Sequence, residues 1–177
     1  APTAIRRALA NLAAHGPTAW WDLGDITCPD ADLAAAQQQL AAAVQQCQQA
    51  GWRTLVLGGG HETAYGHGLG VLQAHPQQRI GIVNFDAHLD MRRAAEATSG
   101  TPFLQLAEYC QTQQRAFDYL CVGASRAANT PALLDNAQAH GVRVIWDEDC
   151  SHADAVRQQI AAFIAPLDAV YLTIDVD

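Results

Sequence analysis

Short apolar runs alternate with helical patterns along the 177 residues of this chain, and this alternation constrains the fold more than any other feature. Short apolar runs between turn residues are typical of buried strands. Longer segments with apolar residues three or four positions apart are typical of helices. Strands that alternate with helices form a parallel sheet covered by helices on both faces. The sequence therefore predicts an α/β fold, and its length predicts one domain.

Turn and capping residues place the boundaries of these elements. Asp30 and Gly51 are typical of the start and end of a helix, and Thr101 and Thr130 each precede a first-turn proline. The predicted strands are 18–23, 52–57, 80–85, 119–122, 142–146 and 169–174. The predicted helices are 31–50, 63–75, 102–111, 131–140 and 151–165.

Composition excludes several classes of function. The net charge of -8 argues against a nucleic-acid partner, which requires a basic face. No run of about 18 apolar residues is present, so we expect no membrane span. The chain has no lysine, which rules out a Schiff-base or P-loop lysine. Its five cysteines form no C-x-x-C pair and are interpreted as reduced thiols of a cytoplasmic protein.

Three acidic or histidine-bearing motifs stand at the carboxyl ends of predicted strands: GGGHE at 58–62, DAHLD at 86–90 and TIDVD at 173–177. Open α/β sheets bind ligands at this edge. Alternate residues of an extended segment share a face, so the side chains within each motif can converge. Carboxylates and imidazoles bind divalent ions such as manganese. The candidate metal ligands are His61, Asp86, His88, Asp90, Asp175 and Asp177.

Each motif taken alone has a simpler interpretation. GGGHE could be a nucleotide-binding turn, but Thr63 stands where the dinucleotide pattern requires a third glycine. A lone histidine is usually structural, and a pair of aspartates can cap a helix. Burying unpaired carboxylates is costly, however, and a cation is their natural partner. We therefore favour a metal site. The other histidines are interpreted as structural, although His67 lies near the glycine-rich turn.

The three motifs, in this order, resemble those of the ureohydrolase family, which includes arginase, agmatinase and formimidoylglutamase. The opening APTAIRRAL and the segment WDLGDI at 21–26 also resemble this family, so the resemblance covers nearly the whole chain. It implies a three-layer α/β/α sandwich with a mostly parallel sheet. It also implies a cytoplasmic hydrolase of C–N bonds in small guanidino or amidino substrates.

The resemblance further implies two manganese ions per subunit. His61, Asp86, Asp90 and Asp175 would hold one ion, and Asp86, His88, Asp175 and Asp177 the other. A water shared by the ions would attack the amidine carbon, and Asp90 would accept its proton as the catalytic base.

Several positions resemble the formimidoylglutamase branch rather than the arginases. Arginases place an Asn at the position of Arg92 and a His at the position of Phe103. SGTPF at 99–103 and the Asn129-Thr130 pair also match that branch. The implied reaction converts N-formimidoyl-L-glutamate and water into L-glutamate and formamide, a step of histidine degradation. Alternatives are a guanidino hydrolase (agmatinase, guanidino-acid hydrolase or arginase) and a non-catalytic metal-binding homologue. A deacetylase shares the broad fold, but the motifs argue against it.

The resemblance assigns Arg92, Ser99 and Asn129 to substrate binding. An arginine suits a substrate with two carboxylates, because guanidinium binds carboxylate through two parallel hydrogen bonds. Arg92 could instead form a surface salt bridge, and Ser99 could cap a helix. We expect a homo-oligomer. We also expect the domain to be incomplete at both ends, with a substrate-gripping Glu of the family beyond Asp177.

Overall fold

A computed structural model describes residues 2–13, 15–16 and 19–176. The helices are α1 (Pro2–Leu9), α2 (Leu33–Gln49), α3 (Thr63–Ala74), α4 (Pro102–Thr112), α5 (Pro131–Ala139) and α6 (Ala153–Ile164). The strands are β1 (Ile80–Phe85), β2 (Asp118–Ala124), β3 (Arg143–Trp146) and β4 (Ala169–Ile174). Short 3-10 helical turns span Pro29–Ala31 and Asp147–Ser151.

The four strands form one parallel sheet in the order β3-β2-β1-β4. Apolar side chains of α2 to α5 pack on one face of this sheet. Phe163 of α6 packs with Val83, Leu120, Val122 and Ile145 on the other face. The predicted three-layer α/β/α sandwich is thus confirmed. Since β1 and β4 pair with Phe85 opposite Ile174, the chain leaves both strands at neighbouring points of one edge.

Strand predictions 80–85 and 169–174 match β1 and β4 at both ends, and 119–122 lies within β2. The runs of β1 and β2 are apolar because these two central strands are covered by helices on both faces. Helix ends differ from the predicted ones by a few residues. Asp32, rather than Asp30, caps α2 by accepting a hydrogen bond from the Ala35 N–H, and Asp30 lies in the preceding 3-10 turn.

Two strand predictions are wrong. Residues 52–57 and the described part of the other run, 19–23, form no strand; Thr18 lies outside the described residues. Trp52 and Leu55 are exposed, and so are Trp20 and Trp21. An apolar run becomes a strand only where another strand offers it backbone partners, and no described strand pairs with these segments.

Glycines in α3 allow two helices to pack closely. A Cβ atom at Gly66 would lie 2.8 Å from the Gln37 carbonyl oxygen, and one at Gly70 would lie 2.5 Å from that of Ala41. Both carbonyls belong to α2. Glycine usually weakens a helix, but here the absent side chains let α2 and α3 approach. This packing supports the turn that precedes α3 and carries His61.

No helix within the described residues is long and apolar enough to cross a membrane. The five cysteines are free thiols, and Cys110 and Cys121 are buried. Burial raises the pKa of Cys121 to about 12, so this thiol stays protonated and unreactive at neutral pH.

Candidate metal centre

Four of the predicted ligands converge at the carboxyl edge of the sheet. His61, Asp86, Asp90 and Asp175 each present one ligand atom, and these atoms all lie within 4.8 Å of one another. His61 lies in the turn before α3, Asp86 and Asp90 follow β1, and Asp175 follows β4. The pairing of β1 with β4 therefore brings together side chains from distant parts of the sequence.

Three carboxylates surround a single nitrogen of His61. Its Nδ1 lies 2.7 Å from Asp90 Oδ2, 3.2 Å from Asp86 Oδ2 and 3.3 Å from Asp175 Oδ2. The imidazole is only 6% exposed. Buried carboxylates this close repel one another unless positive charge lies between them. The cluster therefore has the charge and the donor atoms of a cation site.

The pKa values of these groups reflect their crowding. Burial lowers the pKa of His61, but hydrogen bonds to Asp86 and Asp90 outweigh it and raise that pKa to about 9. Burial also raises the pKa of Asp90. Burial acts in the same way on Asp86, yet hydrogen bonds from His61, the His88 N–H and Asn84 lower its pKa overall. A proton on His61 therefore supplies the positive charge that a metal ion would otherwise bring.

Two neighbours set the orientation of the His61 ring. Its Nε2 lies 3.0 Å from Thr173 Oγ1, and Phe103 contacts the ring edge-on with centroids 5.3 Å apart. If Nε2–H donates to the hydroxyl, Nδ1 is the nitrogen that faces the carboxylates and that would bind a metal once its proton is lost. Phe103 is fully buried and packs against this candidate ligand.

The loop that carries Asp86 and Asp90 is held by backbone hydrogen bonds. The Asp86 N–H donates to the Val122 carbonyl at 3.1 Å, and the Phe103 N–H donates to the Asp90 carbonyl at 3.2 Å. Asp90 has a φ of 47°, in the left-handed region that Asp and Asn tolerate better than most residues. This turn brings Asp90 back towards His61.

His88 lies beside the cluster rather than within it. Its Nδ1 is 3.3 Å from Asp86 Oδ1, and its side chain is 42% exposed. Asp86 therefore presents Oδ2 to His61 and Oδ1 to His88. Asp177 lies outside the described residues.

Two of the predicted substrate-binding residues lie near this loop on the surface. Arg92 and Ser99 are both exposed. The Arg92 N–H donates to the Gly100 carbonyl at 2.8 Å, which joins the two segments. The Arg92 guanidinium carbon lies 3.4 Å from the position that a Cβ atom at Gly100 would occupy. The backbone hydrogen bond thus brings the segment that contains Ser99 beside Arg92.

Asn129, the third residue predicted to bind substrate, uses its side-chain amide in hydrogen bonds to the backbone. Its side chain is buried, at 5% exposure. Its Oδ1 accepts the Leu89 N–H at 3.0 Å, and its Nδ2 donates to the carbonyls of Ala87 and Ser125 at 2.9 and 2.8 Å. The amide therefore supports the loop between Asp86 and Asp90, and its role in substrate binding stays a prediction.

Sequence reasoning missed three residues that support the ligands. Thr173 stands within the TIDVD motif but was given no role. Asn84 and Tyr119 are buried beneath the Asp86 loop, and Tyr119 donates its hydroxyl to the Leu89 carbonyl at 3.1 Å. One signal was available for Asn84, because it is the single polar side chain in the apolar run IGIVNF.

Curated proteins of similar sequence are formimidoylglutamases. The formimidoylglutamase of Citrobacter koseri is 58% identical over 178 residues, which cover 100% of this chain and 56% of the relative. That of Photorhabdus laumondii is 53% identical over 99% of this chain and 56% of the relative. The chain thus spans little more than half the length of these curated relatives.

Solved structures show the same fold. Formimidoylglutamase from Bacillus subtilis superposes with a TM-score of 0.84 at 21% identity, over 98% of this chain and 57% of the other. A Trypanosoma cruzi formiminoglutamase variant with Mn2+ has a TM-score of 0.77 at 27% identity, over 89% and 52%. The model of the arginase family matches residues 1–177. The chain therefore belongs to the arginase family.

Proposed function

We propose that the natural polypeptide carrying these residues hydrolyses N-formimidoyl-L-glutamate to L-glutamate and formamide with bound manganese, as a step of histidine degradation. The observation that carries this proposal is the convergence of His61, Asp86, Asp90 and Asp175. It occurs in a chain that is 58% identical to a formimidoylglutamase. An alternative guanidino hydrolase would use the same ligands, so the substrate must be tested directly.

The side chains fit a manganese ion. One imidazole nitrogen and three carboxylate oxygens form a hard, mainly oxygen donor set, which suits Mn2+ better than a soft metal. His61, Asp86, Asp90 and Asp175 would hold one ion, and Asp86, His88, Asp175 and Asp177 a second. Support for a shared Asp86 comes from its two oxygens, which face different histidines.

When bound, a metal pair supplies Lewis acidity that lowers the pKa of water and polarises the amidine. Asp90 would then take up the proton that water releases. Thr173 and Phe103 would fix the orientation of the His61 ring beside Asp90.

Arg92 and Ser99 are proposed to recognise the substrate's carboxylates. The substrate carries two carboxylates and arginine carries one, so an added guanidinium near the site favours the former. Both side chains are exposed and lie on segments joined by the Arg92–Gly100 hydrogen bond.

The decisive experiment compares substrates in the Mn2+-loaded natural polypeptide. Formimidoyl-glutamate, arginine and agmatine are supplied side by side, and glutamate, urea and formamide are quantified by chromatography. We expect rapid release of glutamate and formamide and little urea. Arginine or agmatine as the best substrate would overturn the choice of substrate. Tight Mn2+ binding without any turnover would show a non-catalytic homologue.

Substrate recognition is tested with a pair of adjacent arginines. Arg92→Ala should raise KM for formimidoyl-glutamate about tenfold, or about 1.4 kcal/mol, because an exposed guanidinium–carboxylate pair is weaker than a buried one. Arg93 is 72% exposed and pairs with Glu108 at 3.4 Å, so Arg93→Ala is the matched control. Equal KM values for the two variants would remove Arg92 from the substrate site.

A further inference from the structure

One polar side chain interrupts the buried interior of β1. Residues 80–84 of this strand are all buried, and Asn84 is fully buried at 0% exposure. A buried parallel strand normally carries apolar side chains, and a buried polar group costs free energy unless it is hydrogen-bonded. An asparagine at this position therefore requires a physical reason.

The contacts of Asn84 lead to a candidate metal ligand. Its Nδ2 donates to Asp86 Oδ2 at 3.0 Å and lies 3.2 Å from the Tyr119 hydroxyl oxygen. A carboxylate that serves as a cation ligand is ionised and can only accept hydrogen bonds. The amide nitrogen must therefore face Asp86, which fixes the orientation of the amide.

This orientation leaves the amide oxygen without a partner. Asn84 Oδ1 is buried, and no group within the described residues forms a hydrogen bond with it. A buried acceptor without a partner is destabilising. The orientation that keeps the Asn84 nitrogen on Asp86 therefore lowers the stability of the fold.

The bond from Asn84 acts on the oxygen that faces the cluster. Asp86 Oδ2 lies 3.2 Å from His61 Nδ1, and Asp86 Oδ1 accepts the His88 N–H at 2.7 Å. A carboxylate group rotates easily about its terminal bond. One hydrogen bond on each oxygen stops this rotation and fixes the direction in which Oδ2 points.

We propose that Asn84 is a positioning residue, which aims Oδ2 of Asp86 at the cation site. Supporting groups of this kind commonly change metal affinity about 10–100-fold when they are removed. The buried and unsatisfied Oδ1 follows from this role. A residue that only filled space in β1 would be better replaced by an apolar side chain.

The test is Asn84→Leu in the natural full-length polypeptide. Leucine has a similar volume but no amide, so the substitution removes both the bond to Asp86 and the unsatisfied oxygen. We expect the Kd for Mn2+, measured by calorimetric titration, to rise about 10–100-fold. The Tm of the metal-free protein should stay the same or rise. A space-filling role predicts an unchanged Kd.

Val83→Ala is the matched control on the same strand. Val83 is buried on the other face of the sheet against α6, so this substitution should lower the Tm and leave the Kd within about twofold. An Asn84→Leu Kd within twofold of wild type would overturn the proposal, as would an equal loss of affinity in Val83→Ala. If Asn84→Leu does not fold, Asn84→Ser, which is smaller and also lacks the amide nitrogen, is judged by the same criteria.

The role of Asn84 rests on the proposed metal centre but not on the proposed substrate. A wild-type protein that binds no Mn2+ would refute the metal centre itself. A wild type that binds Mn2+ as tightly as Asn84→Leu would refute only the role of Asn84.

Discussion

Acidification should destabilise this protein through a histidine that lies away from the candidate metal centre. His67 is a partly buried residue of α3 whose ring contacts Tyr171 edge-on at 4.9 Å. Its Nε2 lies 2.9 Å from Thr54 Oγ1, which also accepts a hydrogen bond from Gln48. Burial lowers the pKa of His67 from the model-compound value of 6.5 to about 4. The ring is therefore neutral in the folded protein at neutral pH.

The sign of the effect follows from proton linkage. Between pH 6.5 and 4 the unfolded chain binds a proton at His67 that the folded protein does not bind. The contribution of the neutral His67 ring to the free energy of unfolding is therefore fully present above pH 6.5 and is lost as the pH falls towards 4. When the two states differ by one bound proton, the free energy of unfolding changes by about 1.4 kcal/mol per pH unit. Acidification from pH 6.5 to 5 should therefore lower the free energy of unfolding by about 2 kcal/mol. This is an upper bound, because part of the ring is exposed.

The assay is urea unfolding of the metal-free protein at a series of pH values from 7 to 5. His67→Gln keeps a side chain that can bond Thr54 but cannot titrate, so its free energy of unfolding should fall less steeply with acidification. His152→Gln, at an exposed position, is the control and should behave like wild type. Equal pH slopes for wild type and His67→Gln would refute this account of the buried ring.

Three further predictions concern the metal centre and the fold. Asp86→Ala should remove bound manganese almost completely, because Asp86 contacts both histidines; elemental analysis against the exposed control Asp154→Ala would reveal any retained metal. Gly70→Ala should cost about 1–3 kcal/mol in urea unfolding. The Cβ added at Gly70 would clash with the Ala41 carbonyl, whereas a Cβ at the control position Gly59 meets open space. Equal losses of unfolding free energy in Gly70→Ala and Gly59→Ala would contradict the close packing of α2 and α3. The 177-residue polypeptide expressed alone should aggregate, because the edge strand β4 exposes apolar side chains; a monomeric, cooperatively unfolding protein would show otherwise.

Sequence patterns located the parts of the fold whose stability is local or periodic. IGIVNF and AVYLTI were identified at both ends because each is a short apolar run bounded by polar residues. The run at 52–57 has the same apolar character, yet it forms no strand. An apolar composition indicates that a segment can be buried. Whether it forms a strand depends on a second strand, distant in sequence, that pairs with its backbone.

Asp86, Asp90 and Asp175 could be predicted because their motifs follow two neighbouring strands of the sheet, whereas the run before His61 forms no strand. The residues that support them could not be assigned in the same way. Asn129 was predicted to bind substrate, but its partners are backbone groups of Ala87, Leu89 and Ser125, up to 42 positions away. Hydrogen bonds to distant backbone atoms leave no periodic trace in the sequence, so only the folded structure reveals them.

The left-handed backbone at Asp90 limits how this centre could change by mutation or design. Few side chains adopt that conformation without strain, and Asn and Asp are among them because their short polar groups bond locally. A β-branched residue would be strongly disfavoured there whatever its chemistry. The backbone and the cation site thus favour the same residue for independent reasons. Redesign of the centre for another metal would be easier at Asp175, which the structure does not place in the left-handed region.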